Sequence, residues 1–298
     1  MKLEEQRIEI WDPTSYDLEG VFKHIERCGR ICYNSKMNST SFKDFVQKMI
    51  NSKHFSMLEH GTIYLKLPGG ILGDILSYEK KYKNNNYSKC IRKLHFKGII
   101  PINTLYVTTN LRVIHENDWY QDLEYLCPPT KYHEKRLTCY INTNRVTGES
   151  ILRHRVFSFA KQSTRYCNYT NKSKYPKGIT YIKPNWCTLD SGEYSKEIYE
   201  EFITSGILNN KDVNIKDTYF LNECFKNETT YNYLLKELKL KPEEARDILN
   251  FSISSPMVMT GFIEDWKQFI NIRVKGTTGR PHPLIKELFV PLIDLSIT

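Results

Sequence analysis

A short basic stretch, RHRVFSFAKQSTRY at residues 153–166, contains the residue types best suited to binding an anion. Arginine guanidinium groups bind phosphate or carboxylate through two parallel hydrogen bonds. Ser163 and Arg165 are two positions apart, so in an extended chain their side chains point to the same side. A hydroxyl and a guanidinium that converge in this way can hold a phosphate, and we therefore predict an anion site at Ser163 and Arg165.

The beginning of the same stretch predicts a second anionic site. Arg153, His154 and Arg155 are consecutive, so their side chains point in different directions and cannot all contact one small anion. Two anionic ligands bound back to back would account for both ends of the stretch. The alternative is a basic loop exposed to solvent. Phe157 and Phe159 argue against an exposed loop, because aromatic residues between the arginines indicate that the stretch is partly buried. A buried arginine needs a partner.

Two further arginines lie on predicted helices nearer the C-terminus. Arg273 continues the apolar stripe of Trp266 and Phe269, and Arg246 lies close to Leu249 in a similar pattern. A guanidinium buried on such a face needs an anion or strong hydrogen-bond acceptors. At the end of a helix, Arg273 can instead extend into solvent and interact with the helix dipole. The spacing alone leaves both alternatives open.

Other reactive side chains give weaker signals. His54 and His60 flank Ser56 and Glu59, and a Glu–His pair can act as acid and base or hold a ligand, although histidines bonded to the backbone are more common. Cys167 lies near the arginines, whose charge can lower the pKa of a thiol, yet no general base is spaced to serve it. The sequence contains no CxxC, HExxH, Walker or GxGxxG motif, so we predict no metal site.

Hydrophobic periodicity predicts a mixture of helices and strands. Helices are predicted over residues 16–33, 41–51, 192–206, 216–238 and 261–273, with shorter ones from about Thr147 and from Pro242. Ser39 or Thr40 is the predicted cap of the second helix. Strands are predicted over 63–67 and 136–143, and the basic, Asn-rich segment 79–97 as a surface excursion with some helix. Because the sequence shows no internal repeat and no obvious linker, we predict one α+β domain over residues 1–298.

Composition limits the class of protein and of partner. The chain has 298 residues, enough for a large core, and a net charge of +9, which favours nucleic acid, nucleotides or phosphorylated cofactors. It contains no apolar run of about 18 residues. The first residues lack the apolar core of a signal peptide, and the eight cysteines lack paired spacing. We therefore expect reduced thiols and a cytoplasmic protein without membrane contact.

Several segments, in order along the chain, resemble the flavin-dependent thymidylate synthases (ThyX family). RHRVFSFAKQS fits the family pattern of RHR, seven residues and a serine, and STRYCNY extends it. HFSMLEH resembles the family's His-x-Ser/Thr-x-x-Glu-His segment. EEARDIL, MTGFIEDWKQFINIR and RPHPLIKEL resemble its C-terminal segments that bind dUMP and flavin. The resemblance covers about residues 20–295, and residues 69–136 resemble an insert found in one branch of the family.

The resemblance implies a fold and a reaction. The fold is α+β, with an antiparallel sheet flanked by helices, in a homotetramer whose active sites are shared between subunits. The reaction converts dUMP to dTMP, with methylenetetrahydrofolate as carbon donor and with FAD, reduced by NADPH, as hydride carrier. dUMP, folate and NADPH are then the partners, and nucleic acid is not expected. In this chemistry no enzyme cysteine attacks the pyrimidine, which suits the cysteines found here.

Matching positions in the motifs imply the site residues. Arg273 is the implied catalytic residue, because it would meet the uracil and stabilise negative charge on the activated ring. The implied dUMP-binding residues are Ser150, Arg153, Lys161, Gln162, Ser163, Arg165, Arg246 and Arg273. The implied FAD-binding residues are Cys32, His54, Ser56, Glu59, Arg153, His154, Arg155, Gln268 and His282.

Two departures from the family pattern leave alternatives open. Ala160-Lys161-Gln162 stands where Asn-Glu or Ser-Gln-Glu is frequent, and Phe262 stands where asparagine is common. A degenerate homologue that binds nucleotide without turnover is therefore one alternative. The other is a basic nucleic-acid-binding protein without catalysis. The +9 charge, the 20 tyrosines and segment 79–97 favour it, but it leaves the ordered motif matches unexplained.

Overall fold

A computed structural model of the protein describes residues 1–35, 42–69, 72–209 and 214–297. Its strands are β1 (Lys2–Glu4), β2 (Arg7–Ile10), β3 (Thr62–Gly69), β4 (Lys89–Lys97), β5 (Ile100–Asn110), β6 (Arg136–Asn142), β7 (Ser158–Lys161), β8 (Thr180–Ile182), β9 (Gly192–Glu193) and β10 (Met257–Phe262). Its α-helices are α1 (Leu18–Arg30), α2 (Phe42–Asn51), α3 (Leu72–Lys83), α4 (Leu111–Glu116), α5 (Arg145–Ile151), α6 (Lys196–Asn209), α7 (Ile215–Lys236), α8 (Pro242–Ala245), α9 (Ile263–Ile270) and α10 (Pro283–Phe289).

Short helices of other types complete the described chain. The 3-10 helices are Ile31–Tyr33, Phe55–His60, Tyr120–Tyr125, Arg246–Ile248 and Val290–Ile297. A π-helix, Asn271–Lys275, continues directly from α9. The predicted helices over 16–33, 41–51 and 216–238 correspond to α1, α2 and α7, while the cap predicted at Ser39 or Thr40 lies outside the described residues.

The described strands form three sheets. The central sheet is antiparallel with the order β2-β6-β10-β7, and the insert sheet is antiparallel with the order β3-β5-β4. In the third sheet, of order β8-β1-β9, β1 runs parallel to β8 and antiparallel to β9. Helices pack against the sheets, so the predicted class, an α+β fold with an antiparallel sheet flanked by helices, is confirmed.

Separate hydrophobic clusters lie beneath the sheets. The insert sheet packs on α1 and α2 through Val21, Ile25, Leu65 and Val107, among others, all of which are buried. A second cluster joins the central sheet to α9 and α10, and it contains the mutually contacting rings of Trp266, Phe269 and Phe289. A third lies between the sheet of β1 and helix α7. The central sheet and α9 therefore share one core, which fixes the end of that helix relative to the strands.

One predicted helix was wrong at its N-terminal end. Residues 261–262 complete β10, and the helix begins only at Ile263. Every residue of β10 is buried, because the strand pairs on both sides and is covered on both faces. Such a strand shows no polar–apolar alternation, and a continuous apolar run cannot be distinguished from a buried helix by periodicity.

The basic segment 79–97 lies on the surface and begins in a helix as predicted, but its second half is a strand. Helix α3 ends at Lys83, and β4 follows as the edge strand of the insert sheet. Apolar side chains of β4, including Leu94 and Phe96, are exposed next to Arg92 and Lys93. Because both faces of the strand carry charged residues, the alternation typical of a half-buried strand is absent.

Buried polar side chains cross the central sheet in a hydrogen-bonded row. His24 Nε2 lies 3.1 Å from Thr138 Oγ1, and Thr138 Oγ1 lies 2.8 Å from Thr260 Oγ1 on the neighbouring strand. His60 Nδ1 lies 2.8 Å from Thr260 Oγ1. The row connects α1 and the 3-10 helix 55–60 to the sheet, and it requires neutral histidines, since burial penalises the imidazolium.

No helix in the described residues is long and apolar enough to span a bilayer.

We expect acid to destabilise the fold through His60. Burial, together with the nearby His24 and Arg136, lowers the pKa of His60 from 6.5 to about 3. As the pH falls below 6.5, the unfolded chain binds a proton that the folded protein does not. Through this group, the free energy of unfolding should fall by about 3 kcal/mol by about pH 4.5. Urea unfolding over this range should show a smaller pH dependence for His60→Gln than for the wild type.

The matched control is His282→Gln, because His282 is exposed. It should keep the pH dependence of the wild type. If His60→Gln and the wild type lose stability equally with acid, His60 is not held neutral in the way the structure indicates.

Candidate functional site

A cleft opens between α5 and the 3-10 helix that begins at Arg246. We call it the α5 cleft, and its lining residues are Arg145, Val146, Glu149, Ser150, Arg153, Arg246, Asp247, Leu249, Asn250 and Phe251. Helix α5 begins where the Asn144 side chain accepts a hydrogen bond from the Thr147 amide at 2.8 Å. Ser150, Arg153 and Arg246, three of the residues predicted to bind dUMP, therefore lie together on one surface.

Arg273 reaches the start of the basic stretch from the π-helix. Its Nε donates to His154 Nε2 at 2.7 Å, and an Nη2 hydrogen is directed to the carbonyl of Ser150 at 3.3 Å. The His154 ring in turn packs edge-on against Phe269, with centroids 4.7 Å apart. The structure thus connects Arg273 to the basic stretch, and π-helical turns often occur at functional sites.

The acceptors of Arg273 are neutral, so its charge is not cancelled. A histidine that accepts a hydrogen bond at Nε2 is neutral and carries its proton on Nδ1. Burial, followed by the charges of Arg273 and Arg153, lowers the pKa of His154 below its ordinary value. Burial and Arg153 also lower the pKa of Arg273. The guanidinium retains three N–H groups beyond these two bonds, and they remain able to bind a ligand.

The basic stretch is anchored to the central sheet by its aromatic residues. Phe157 is buried and packs on Trp266 with centroids 4.9 Å apart. It also covers Gly261 of β10, where an added Cβ would lie only 2.3 Å from the Phe157 ring. Glycine at 261 therefore permits the close approach, and the prediction of partial burial is confirmed. Arg153 and Arg155 remain exposed on either side of His154.

Cations outnumber carboxylates in the α5 cleft. Arg145 and Arg153 form no ion pair with any described residue, and Arg246 has only its neighbour Asp247, with Nε to Oδ1 at 3.8 Å. Glu149 is paired with Lys161 Nζ at 2.6 Å. The surface therefore carries unpaired positive charge, which attracts an anion such as a phosphate group.

Lys161 and Gln162 point to opposite sides. Lys161 ends β7 and reaches Glu149 beside the α5 cleft, whereas Gln162 Nε2 donates to the Tyr175 hydroxyl at 2.8 Å. Gln162 lines a different cavity, together with Asn142 and Lys174. Successive residues of an extended chain face opposite ways, so the two cannot both reach the same cleft within one chain.

Ser163 and Arg165 lie in a turn, and the extended chain assumed for them was wrong. The Cys167 amide donates to the Ser163 carbonyl at 3.1 Å, and the Arg165 amide to Ser163 Oγ at 3.3 Å. The turn still keeps the two residues close together. Arg165 Nε pairs with Glu243 Oε2 of α8 at 2.6 Å, and α8 leads directly into Arg246.

The residues predicted to bind FAD are spread over several elements. Cys32 accepts a hydrogen bond from the Ser163 amide at its carbonyl, at 2.9 Å, and Glu59 pairs with Arg112 Nη1 at 2.5 Å. The remaining side chains make no hydrogen bond or ion pair with the described part of the chain: His54, Ser56, Arg155, Gln268 and His282. All five are exposed, so they are available to a ligand, but no cavity described here contains them together.

The cysteines are unsuited to nucleophilic attack. All eight are free, and burial is the first cause of a raised pKa for each thiol. The pKa of Cys167, expected to be lowered by the arginines, is raised instead, because the side chain is buried away from their charges. No cysteine lines the α5 cleft.

Several residues of the cleft were not predicted from the sequence. Arg145 shares helical spacing with Glu149, a signal that was available in the sequence. Asn250 and Phe251 carry no such signal, because they follow a 3-10 helix about 100 residues later. They are placed by a hydrogen bond from the Arg145 amide to the Phe251 carbonyl at 3.1 Å.

Comparison with protein families identifies the chain. The profile described as "Thymidylate synthase complementing protein" (Thy1) matches residues 134–285, just over half of the chain. The chain belongs to this family. The predicted resemblance to this family is thereby confirmed. The α5 cleft, the basic stretch and Arg273 all lie within the matched residues, whereas Cys32, His54, Ser56 and Glu59 lie before them.

Solved structures give similarities at low identity. The UMP/dUMP methylase PolB from Streptomyces cacaoi, bound with 5-Br UMP, is 14% identical with a TM-score of 0.40, covering 97% of this chain and 87% of PolB. ThyX from Helicobacter pylori, with FAD and dUMP, is 11% identical with a TM-score of 0.39, covering 98% of this chain and 93% of ThyX. A comparison with curated protein sequences gives no match.

The ion pair of Arg165 should contribute nothing measurable to the stability of this family member. Both partners are on the surface, where ion pairs are screened by solvent and cost side-chain entropy. Arg165→Met should leave the midpoint of urea unfolding within error of the wild type, as should the matched variant Glu243→Gln. A clear loss of stability in either variant would show that the pair is structural, and Arg165 would then not be free to turn to a ligand.

Proposed function

We propose that the chain is a flavin-dependent thymidylate synthase. It converts dUMP to dTMP, with methylenetetrahydrofolate as carbon donor and FAD reduced by NADPH. The observation that carries this proposal is the position of Arg273. Its guanidinium keeps free N–H groups beside the cationic α5 cleft, while neutral acceptors at His154 and Ser150 hold it in place.

The α5 cleft is the proposed dUMP site. Arg246 and Arg153 offer guanidinium groups to a phosphate, and Ser150 offers a hydroxyl close to Arg273. Lys161, Ser163 and Arg165 lie on the adjoining strand and turn, where the Arg165–Glu243 pair can exchange its carboxylate for a phosphate oxygen. Gln162 faces another cavity, so its proposed role in dUMP binding depends on a second subunit.

The proposed flavin residues fit a large anionic dinucleotide that crosses more than one surface. Arg153 and His154 border the α5 cleft, and Arg155, His54, Ser56, Gln268 and His282 are exposed polar groups free to donate or accept. Cys32 and Glu59 lie on the two 3-10 helices that adjoin the basic stretch and the insert sheet. When bound, FAD would supply the hydride that the protein side chains cannot.

Arg273 acts through its charge in this proposal. A guanidinium does not release its proton at physiological pH, so it stabilises negative charge on the uracil ring and is no general acid. The bonds to His154 and Ser150 limit its rotation, and Phe269 supports His154 from the core. The charge is therefore fixed before the substrate binds, which avoids a cost of reorganisation during the reaction.

The scattered flavin residues favour a shared active site. Because His54 and Ser56 make no hydrogen bond to Gln268 or His282 within the described chain and share no cavity with them here, we propose a homotetramer in which neighbouring subunits complete each site. The chain is proposed to be a single cytoplasmic domain with a family-branch insert at about residues 69–136. Helix α3 and strands β4 and β5 lie within that insert.

Purified protein should be yellow and active. We expect absorbance at about 450 nm from bound oxidised flavin, and this absorbance should bleach when NADPH is added. dTMP should form when dUMP and methylenetetrahydrofolate are also added. Protein that bleaches but makes no dTMP would support the degenerate homologue. Protein that is colourless and takes up no added FAD would contradict the proposal and favour nucleic-acid binding.

Arg273→Met should lower the rate of dTMP formation by roughly 10²–10³-fold, the typical effect of removing one group that stabilises transition-state charge. Flavin absorbance and the melting temperature should change little, because the partners of Arg273 are neutral and stay hydrated at the cleft. Lys275→Met is the matched control, since Lys275 is an exposed cation of the same π-helix. Equal activity of both variants would contradict the role of Arg273.

A further inference from the structure

A small polar cavity lies between the central sheet and the segment that connects β2 to α1. We call it the Arg136 cavity, and its lining residues are Trp11, Asp12, Pro13, Ser15, Tyr16, Val21, His24, Thr62, Tyr64, Arg136 and Thr138. Its volume is about 40 Å³. One water-sized probe needs roughly 10–15 Å³, so the cavity holds only a few atoms and no nucleotide. It belongs to neither the α5 cleft nor the proposed flavin residues.

Arg136 brings a positive charge to this cavity; the residue as a whole is half-buried, its Nε is buried, and no carboxylate is bonded to it. Its Nη1 donates to the Glu59 carbonyl at 2.9 Å and to Thr62 Oγ1 at 3.2 Å, both neutral acceptors. Its Nε is buried and has no hydrogen-bond partner among the described residues. Nor does Arg136 form an ion pair within the described chain, because the Glu59 carboxylate is bound by Arg112.

Such a guanidinium is costly unless an anion accompanies it. Burial lowers the pKa of Arg136 to about 10, which reflects the penalty on its charged form. Removing a cation from water without a counter-charge costs several kcal/mol, and a buried N–H without an acceptor adds to the cost. An anion in the cavity would accept a hydrogen bond from Arg136 Nε and would also offset the positive charge of the guanidinium.

Other donors face the same space. His24 is buried, with only 6% of its surface exposed. Its Nδ1 has no hydrogen-bond partner in the part of the chain described. Its Nε2 is bonded to Thr138, so the neutral tautomer in which Nε2 accepts from the Thr138 hydroxyl presents Nδ1–H to the cavity. The Tyr64 hydroxyl accepts from the Arg136 amide at 3.2 Å, which leaves its own hydrogen to donate.

Asp12 is the carboxylate in the lining, and it does not neutralise Arg136. It is exposed to water, where its charge is screened, and it forms no ion pair with Arg136. The carboxylates that act on Arg136 are those of Glu59 and Asp265, neither of which lines the cavity. Donors without acceptors therefore dominate its buried part, an arrangement that suits an anion and not a cation.

We propose that the Arg136 cavity binds one small monovalent anion, of the size of a halide or formate. Arg136 Nε, His24 Nδ1 and the Tyr64 hydroxyl are its donors. The anion would balance the buried guanidinium and connect β6, α1 and β3 at one point. It would thereby fix the Trp11 segment, whose ring stacks on Tyr140 at 5.0 Å and lies beneath the Arg27 guanidinium.

Bromide is the probe, because its anomalous scattering distinguishes it from water. Full-length protein purified in sodium gluconate is crystallised and soaked in sodium bromide. We expect an anomalous peak within hydrogen-bond distance of Arg136 Nε and His24 Nδ1, which a second soak with sodium formate removes. A cavity that holds only water, or bromide only at surface sites as an adventitious ion, would overturn the proposal.

Melting measurements provide the second test. At constant ionic strength, replacing gluconate by bromide should raise the melting temperature of the wild type in a saturable way, as for any ligand of the folded state. Arg136→Met should lose this shift, and His24→Leu should reduce it. Arg27→Met is the matched control, since Arg27 is a nearby cation that does not line the cavity, and it should keep the shift.

The outcomes separate a specific site from general screening. If Arg27→Met loses the shift as fully as Arg136→Met, the effect is one of overall charge and the site is rejected. If Arg136→Met does not fold, His24→Leu and the bromide peak in wild-type crystals decide the question. Neither readout requires FAD or dUMP, so failure here leaves the proposed synthase activity unaffected, and loss of that activity would leave this site unaffected.

Discussion

The pairing of β10 with both β6 and β7 determines where the functional residues lie. Met257, at the start of β10, is paired with Ile141 on one side and with Lys161 on the other. The end of β6 leads into α5, β7 lies within the basic stretch, and β10 leads into α9. Backbone hydrogen bonds of one strand therefore bring residues 145–166 and 246–273 together, although the two ranges are far apart in the sequence. A shift of one residue in either register would turn the side chains to the opposite face.

Two half-buried arginines, Arg273 and Arg136, are held by neutral groups. Arg273 is bonded to an imidazole and a carbonyl, and Arg136 to a carbonyl and a threonine hydroxyl. Carboxylates in these positions would stabilise the free protein more, but they would also cancel the charge. Without a ligand, neither guanidinium is bonded to an anionic group, which makes the free protein less stable than it could be. Proteins commonly accept such local costs where they bind anions.

The sequence predicted the elements whose patterns are local. The amphipathic helices α1, α2 and α7, the strand β6 and the basic stretch have clear periodicity or motif spacing. Strand β10 was missed because burial on both faces removes the alternation, and β4 because charged residues occupy both of its faces. The turn at Ser163 has local hydrogen bonds of its own, but the bond that ends the extended chain there runs from the Ser163 amide to the Cys32 carbonyl, 131 positions earlier. Local pattern analysis cannot include contacts of that sequence separation.

The same limit applies to the site. Motif positions identified Arg153, Arg246 and Arg273, which the structure places around one surface. They did not indicate that Lys161 and Gln162 diverge, because the direction of a side chain depends on where the strand ends. They also did not indicate the neutral partners of Arg273, since His154 and Ser150 meet it only after the sheet has formed. Residue types were predictable, but the contacts that orient them were not.

The outer strand of the insert sheet has a consequence for how the protein behaves at high concentration. Strand β4 exposes Leu94 and Phe96 beside a row of unpaired backbone groups, a combination that can recruit a second strand. Lys93 on the same strand forms no ion pair within the described chain, so its charge makes two such edges repel each other, whereas Lys89 and Arg92 are paired with carboxylates. Concentrated solutions should thus stay clear at low salt, whereas counterions that shield the Lys93 charge would remove the barrier to sheet-to-sheet aggregation.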